Sequence, residues 1–196
     1  MTSLSLSTNF VQARAEQIVV KASGDAFKTC VLRPSVICGE GDGQLVPSIA
    51  ACVAKRETPY IIGHGRNMWD VSYVGNVADA HVLAAENLLS NATAQGEVFF
   101  IQNNEPIAFR DFSLAVWKNL GHVPPFEVSI PLSLAWLFGL LAELYTWLSG
   151  TTSTLSRGSV KDASSTRYAS GRKAERILGF KPRVGLEQGL RISCQV

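Results

Sequence analysis

The sequence predicts an α/β fold. Short apolar, β-branched runs recur along the chain, and between them lie stretches whose apolar residues fall three and four apart. That alternation of strand-like and helix-like segments is the mark of the α/β class. Composition agrees. Of 196 residues, 46% are hydrophobic and 17% charged, against ~25% charged in an average soluble domain. Such a chain has the apolar surface to offset the entropy of ordering, which excludes an intrinsically disordered protein.

The elements follow in order. Val11, Ala15, Ile18 and Ala22 share one helical face, closed by Ser23-Gly24. Thr29-Cys30-Val31-Leu32 reads as a buried strand stopped by Arg33-Pro34. Gly39 to Gly43 is a loop, and Leu45, Val46, Ile49, Ala50 and Val53 then repeat at helical spacing. Pro59 to Ile62 is a second strand, ended by Gly63-His64-Gly65, and Trp69 to Val74 alternates like a third. Asn76 suits an N-cap, with Asp79 in the first turn, for a helix running through Leu89. Val77, Ala80, Ala84 and Leu88 line its apolar face. Val98 to Ile101 is a strand, and Phe112 to Leu120 a helix ended by Gly121. Leu132 to Leu148 is almost wholly apolar, with the single charge Glu143, and Ser153 to Ser165 is polar and loop-like. Arg172 to Leu178 is a short helix, closed by Gly179 with Pro182 beyond.

Several function classes are disfavoured. The net charge is +2, and without a long basic run there is no nucleic-acid footprint. Cys30, Cys38, Cys52 and Cys194 form no CxxC pair and read as small buried hydrophobes in a reducing compartment. His64, His81 and His122 lack metal-ligand spacing, so they read as surface or helix-face residues, and no metal is expected. Met1 to Asn9 has neither a basic nor an apolar region of signal-peptide type, and the sequon Asn91-Ala92-Thr93 reads as chance. No GxGxxG, Walker loop, HExxH or GxSxG is present. The residues alone predict a fold and no chemistry.

Three longer phrases add to this. Val31-Leu32-Arg33-Pro34-Ser35-Val36-Ile37-Cys38-Gly39-Glu40-Gly41-Asp42 resembles the stretch after the active-site helix of extended short-chain dehydrogenases/reductases. Asp70-Val71-Ser72-Tyr73-Val74-Gly75-Asn76-Val77-Ala78-Asp79-Ala80-His81 resembles a second hallmark of that family. Lys173-Ala174-Glu175-Arg176-Ile177-Leu178-Gly179-Phe180-Lys181-Pro182, followed by Leu186, Gly189 and Leu190, resembles the third. Within the family the chain is most similar to the 3β-hydroxysteroid dehydrogenase branch, of the fungal sterol-4α-carboxylate 3-dehydrogenase type. Asn76, Phe99-Phe100-Ile101 with Asn103 and Pro106, and Phe112 with Ala115-Val116-Trp117 support this.

The resemblance implies the C-terminal part of a Rossmann-like doubly wound sheet, a small substrate-side subdomain and an apolar helix. It implies a parent activity: NAD- or NADP-dependent oxidation of a 3β-hydroxyl on a sterol or terpenoid, with C-4 decarboxylation. Pro34, Ser35, Val36 and Ile37 are then cofactor-facing, or alternatively a strand terminator, and Gln44 and Leu45 are candidate lining residues of the substrate cleft. The family's Tyr-x-x-x-Lys maps onto Thr8 and Gln12, so no catalytic residue is carried over. Its glycine fingerprint has no counterpart, so binding of the cofactor to this chain alone is not expected. The Ser/Leu-rich start departs from the family pattern, as a truncated or mis-spliced reading frame would. Asp70 and Tyr73 are expected to fix a strand–helix junction; Arg33 and Arg66 are read as surface residues or partners of Asp70, or else as partners of a substrate carboxylate.

In Leu132 to Leu148, Gly139, Glu143, Thr146 and Gly150 form a narrow small-or-polar stripe. That pattern fits a helix docked in a membrane interface or a lid better than a span or a core helix. The expected division is 1–9, an atypical start; 10–130, the sheet with substrate-side elements; 131–150, the docking or lid helix; and 151–196, a C-terminal substrate-side segment. Location at the cytoplasmic face of the endoplasmic reticulum, or in the cytoplasm, follows. Expected partners are an apolar sterol-like molecule, a membrane surface and a separate nucleotide-binding half. The alternatives are a non-catalytic remnant that binds an apolar ligand or a membrane, and one half of a split enzyme.

Overall fold

The computed structural model describes residues 3–150 and 156–195, with backbone only for 3–9. α1 (Ser3–Lys21) leads to β1 (Val31–Pro34) and β2 (Val36–Cys38), one extended stretch interrupted at Ser35. β1 pairs in parallel with β6 (Val98–Ile101), and β2 in parallel with β5 (Val71–Tyr73). At Ser35 the chain passes from one partner to the other. Its N–H still bonds Ile101 O at 2.9 Å, while its Oγ lies 2.8 Å from Ser72 Oγ. Parallel strands joined through helices confirm the α/β expectation.

α2 (Leu45–Ala54) follows β2, and β3 (Tyr60–Ile62) pairs in parallel with β8 (Val128–Ile130). β4 (Met68–Trp69) pairs antiparallel with β7 (Ile107–Ala108). α3 (Val74–Leu89) leaves β5 directly, and α4 (Phe109–Asn119) leaves β7. α5 (Leu132–Ser149), α6 (Arg157–Ser164), α7 (Arg172–Leu178) and α8 (Leu186–Ser193) complete the chain.

Two apolar cores hold these elements. Phe99 and Ile101 point one way from β6, onto Val77, Ala80 and Ala84 of α3 and Ala174 and Leu178 of α7. The two-residue period of a strand turns Phe100 to the opposite face, where it is 40% exposed. The second core packs Cys38, Val46, Ile49, Trp69 and Val71 against Phe112, Val116, Trp117 and Leu190.

The structure corrects several expectations. β1 is shifted by two residues from the run read in the sequence: it starts at Val31 and takes in Arg33 and Pro34, ending at Pro34, which pairs with Ile101 at a place that needs no donor from its nitrogen. The run from Trp69 to Val74 is two strands broken at Asp70, and Val74 already belongs to α3. Asn76 is therefore not the N-cap, which is Tyr73; it sits inside the first turn, 1% exposed, and bonds to residues far along the chain. α4 starts at Phe109, a turn earlier than its apolar pattern indicates. The polar stretch before residue 165 contains α6, capped by Ser156 and Ser159 in a reciprocal pair of hydrogen bonds. Ser153, where that stretch was read to begin, lies outside the described residues.

α5 is the one helix among the described residues long and apolar enough to cross a membrane, by length and composition only. Its small-or-polar stripe meets protein. A Cβ on Gly139 would stand 2.9 Å from Arg157 N and Ser156 C, and Glu143 accepts from the backbone N–H and the Nε–H of Arg157. Trp136, Phe138, Leu141, Leu144 and Trp147 are exposed.

Candidate functional site

In open parallel sheets, ligands sit beyond the carboxyl ends of the strands. Here a shallow pocket opens at the carboxyl ends of β1 and β6. Pro34, Ser35 and Val36 form one wall, Phe100 and Gln102 another, and Arg167, Tyr168 and Ala169 the third. Thus Pro34, Ser35 and Val36 come together, while Ile37 is not among the lining residues. Gln44 and Leu45 lie elsewhere: Gln44 is exposed at the start of α2, and Leu45 packs against the core of Cys38 and Trp69.

α1 runs antiparallel to β1 along this wall. Val19 O accepts from Thr29 Oγ1 near the strand's start, and Glu16 holds the Nε and Nη2 of Arg33 near its end. One turn earlier on the helix is Gln12, exposed, toward the pocket end of the strand. Gln12 carries no charge and does not titrate. The side chain of Thr8 lies outside the described residues. The Arg33 guanidinium also lies 5.3 Å over the Phe100 ring. The ion pair holds Glu16 below the usual carboxylate range and Arg33 above its own, each chiefly through the hydrogen bonds between them. Neither Arg33 nor the exposed Arg66 pairs with Asp70, whose Oδ1 accepts the Asn103 N–H at 2.9 Å.

Asp70 and Asn76 belong to one buried polar network. Asn76 Nδ2 donates to Asn103 Oδ1 and Val184 O, each at 2.7 Å. Its Oδ1 accepts the N–H groups of Arg183 and Val184, each at 3.0 Å. The network ties β5 and α3 to Asn103, beyond β6, and to Arg183 and Val184, directly after the third phrase. Burial pushes the Asp70 carboxyl up, against the backbone N–H groups of Asn103, Asn104 and Glu105 that hold it down. Tyr73 Oη donates to Glu40, and that bond to a carboxylate raises its phenol, the opposite of what an acid–base tyrosine needs. Burial raises the thiols of Cys30, Cys38, Cys52 and Cys194, which leaves them poor nucleophiles. Among the described residues no group of three His, Cys, Asp or Glu side chains could hold a metal.

A dinucleotide needs a planar apolar wall for its ring and free backbone N–H groups for its pyrophosphate. Pro34, Val36 and Phe100 offer the first. The second is not met at α2, the helix following the glycine-rich loop. The Asp42 carboxylate already accepts the N–H groups of Gln44, Leu45 and Val46 at 2.8 to 3.0 Å. Among the described residues, the apolar wall suits the ring end of NAD(P), and the start of α2 does not suit its phosphates.

Phe100, Gln102, Arg167, Tyr168 and Ala169 were not among the site residues expected from the sequence, Phe100 entering there only as part of a family phrase. The outward turn of Phe100 was available from strand alternation. The Arg167-Tyr168 segment reaches the pocket only because Arg167 forms a parallel bridge with Trp69, a distant contact with no local signature.

Comparison with known proteins bears on the family and the fold. The chain is 39% identical over 184 residues to the decarboxylating sterol-4-alpha-carboxylate 3-dehydrogenase of Schizosaccharomyces pombe. It is 36% identical over 194 residues to 3beta-hydroxysteroid-dehydrogenase/decarboxylase isoform 1 of Arabidopsis thaliana. These matches take in 93% and 94% of the chain but 54% and 44% of the relatives, so it spans about half their length. Among solved structures it is similar in fold to a UDP-glucose 4-epimerase from Thermotoga maritima, solved with UDP-glucose. That match has a TM-score of 0.56 and 21% identity and covers 87% of this chain and 46% of the epimerase. It is similar also to RMD from Pseudomonas aeruginosa complexed with NADPH, with a TM-score of 0.57 and 17% identity, covering 92% and 52%. The model of the 3-beta hydroxysteroid dehydrogenase/isomerase family matches residues 7–132, more than half of the sequence, and the chain belongs to that family.

Proposed function

We propose that this chain is the substrate-side half of an NAD(P)-dependent sterol-4α-carboxylate 3-dehydrogenase and does not turn over substrate by itself. The parent reaction oxidises a 3β-hydroxyl to a ketone. The carboxylate at C-4 is then β to that ketone, which accepts the electron pair released as CO₂ leaves. The observation that carries this reading is the match of almost the whole chain to about half of each decarboxylating relative, with the pocket at the sheet's carboxyl ends. In this assignment Pro34, Ser35 and Val36, with Ile37 next to them in the chain, form the cofactor-facing turn, while Gln44 and Leu45, at the start of α2, stand apart from the pocket. The division at residues 9, 130 and 150 separates start, sheet, docking helix and C-terminal segment. NAD and NADP are equally compatible with these residues.

Two observations support the claim of incompetence alone. Gln12 stands where the family's lysine maps, and Asp42 closes the helix N-terminus nearest the glycine-rich loop. Loss of a positioned acid–base is worth ~10²–10⁴ in rate. The exposed Trp136, Leu137, Leu141 and Leu144 of α5 support docking on a membrane surface, the cytoplasmic face of the endoplasmic reticulum, where an apolar sterol resides. A second reading, association with a separate nucleotide-binding half, is favoured by the exposed Phe10, Val11 and Ile18 of α1.

The test uses the purified chain, a 3β-hydroxysterol-4α-carboxylate, and NAD⁺ or NADP⁺. Sterol binding is expected, weakened at least tenfold by Ala169→Trp, which fills the pocket, and no reduced nicotinamide forms. Turnover without a second polypeptide would refute the incompetence, and an absence of sterol binding would refute the substrate-side assignment.

A further inference from the structure

We infer that the outer face of α3 pairs with the same face of a second copy of this chain. The helix is apolar on two sides. Its inner side, with Val77, Ala80 and Ala84, closes one of the two cores. On its outer side Val74, Ala78, Val82, Ala85 and Leu89 are exposed, and the exposed polar residues are His81 and Glu86. Val82 is 56% exposed and Leu89 87%. A surface helix ordinarily turns charged and polar residues away from the core. The outer side of α3 departs from that pattern and presents a contact surface.

Spacing and charge indicate what covers it. Gly75, Ala78, Val82, Ala85 and Leu89 recur at steps of three, four, three and four, the spacing by which two helices interlock along a seam. An antiparallel pair related by a twofold axis beside Val82 sets Leu89 of one copy over Gly75 of the other, a large side chain against none. Opposed directions also bring unlike ends of the two helix dipoles together.

The charges flanking the seam complement each other in the same arrangement. Asp79 is held by Nε and Nη2 of Arg183. The Arg183 side chain is 76% exposed, and its Nη1 has no hydrogen-bond acceptor among the described residues. Glu86, two turns beyond Asp79 and exposed, has no ion-pair partner among the described residues. In the antiparallel pair Glu86 of the second copy comes opposite Asp79, where the open Nη1 of Arg183 can reach it, and the twofold axis makes that contact twice. The seam is about 22 Å long. A contact of that length belongs with the weak interfaces below ~1,200 Å², so the dimer is expected to dissociate on dilution.

Sedimentation equilibrium of the purified chain tests this, across micromolar concentrations and in a mild non-ionic detergent that covers α5. A monomer–dimer equilibrium is expected. Val82→Asp should weaken it roughly tenfold or more, and so should Glu86→Arg, which sets like charges together. Val82→Cys, oxidised with diamide, should trap a dimer beyond the background of the native chain, and Leu89→Cys should not, because the antiparallel arrangement holds the two copies of residue 89 apart. Trapping and Glu86→Arg decide the matter if Val82→Asp fails to fold. A monomer at every concentration overturns the inference, as does a dimer that survives both Val82→Asp and Glu86→Arg. A dimer lost in Ile18→Asp and kept in Val82→Asp moves the interface to α1 and overturns it too. Equal trapping at positions 82 and 89 overturns the antiparallel arrangement.

Discussion

Replacing Asn76 by alanine should be among the most damaging single changes in the protein. The side chain is 1% exposed and makes four hydrogen bonds of 2.7 to 3.0 Å, two given and two received. Truncation leaves the Arg183 and Val184 N–H groups and Asn103 Oδ1 short of a partner, whereas Val184 O keeps the Asn103 Nδ2 donor at 3.1 Å. Each buried group left unpaired costs ~1–3 kcal/mol. The better helix propensity of alanine returns only about 0.5 kcal/mol. A net loss of about 3 kcal/mol is expected, set against the ~5–15 kcal/mol that holds a typical domain. At ~2–4 °C per kcal/mol for a chain of this size, the melting temperature should fall by roughly 6–12 °C. Urea unfolding followed by circular dichroism reads the change directly. Asn119→Ala, at an exposed position whose amide bonds only within α4, is the control and should shift stability by less than about 0.5 kcal/mol. If Asn76→Ala is as mild as the control, the network does not join α3 to the segments around Asn103 and Val184 as described.

Other expectations follow the same logic. Asp42→Ala removes the acceptor for three N–H groups at the start of α2 and should cost about 1–2 kcal/mol in urea unfolding, with Asp42→Asn or Asp42→Ser recovering most of it. The folded state raises the Asp70 carboxyl, so Asp70 binds its proton more tightly when folded than when unfolded. Its contribution is therefore fully present below the ordinary aspartate range and is lost as pH rises through the raised value. Stability measured from pH 3 to 7 should show the native chain losing ground to Asp70→Asn as pH rises, and a gap independent of pH would contradict this. Gly139→Ala gains ~1 kcal/mol in helix propensity. It also drives a Cβ to 2.9 Å from backbone atoms of residues 156 and 157, which cannot rotate away. Overpacking of that kind costs ~1–3 kcal/mol, so a net destabilisation is expected, and a rise in melting temperature would show that α5 and α6 do not touch there.

Most of the scaffold was legible because its signals are local. The periodicity of Val77, Ala80 and Ala84 located α3, and the run Val98 to Ile101 located β6, whose inward Phe99 and Ile101 form a core. The Gly179 stop is seen in its left-handed φ of 68°. What failed depended on partners distant in sequence. Asn76 has the chemistry of a cap, yet its amide is drawn into the core by the 183–184 backbone, 107 and 108 positions away. α6 is polar and short, and it forms because the Ser156–Ser159 exchange closes its first turn and Glu143 of α5 takes the N–H of Arg157. The stripe through Gly139 and Glu143 was visible in the sequence. Whether it met lipid or protein was not, since a small residue permits close approach to either. At the pocket, the Pro34-Ser35-Val36 turn was found through resemblance, whereas Arg167 and Phe100 required the strand pairing that assembles them.

In the proposed assignment the pocket's walls and the acid–base position sit on different elements. β6 pairs with the Val31–Pro34 stretch and β5 with the Val36–Cys38 stretch, and the two cores close on α3, α7, α4 and α8. The pocket's walls thus come from elements that pack among themselves. In the proposed assignment the family's acid–base position falls on α1, which the contacts near Thr29 and Arg33 fix along β1. On that assignment Gln12 is an amide without the charge that would lower the pKa of a neighbouring hydroxyl. The fold rests on Phe99, Ile101 and Asn76, which are buried, whereas on the proposed mapping the cation that an acid–base hydroxyl would need is replaced at position 12 by an amide.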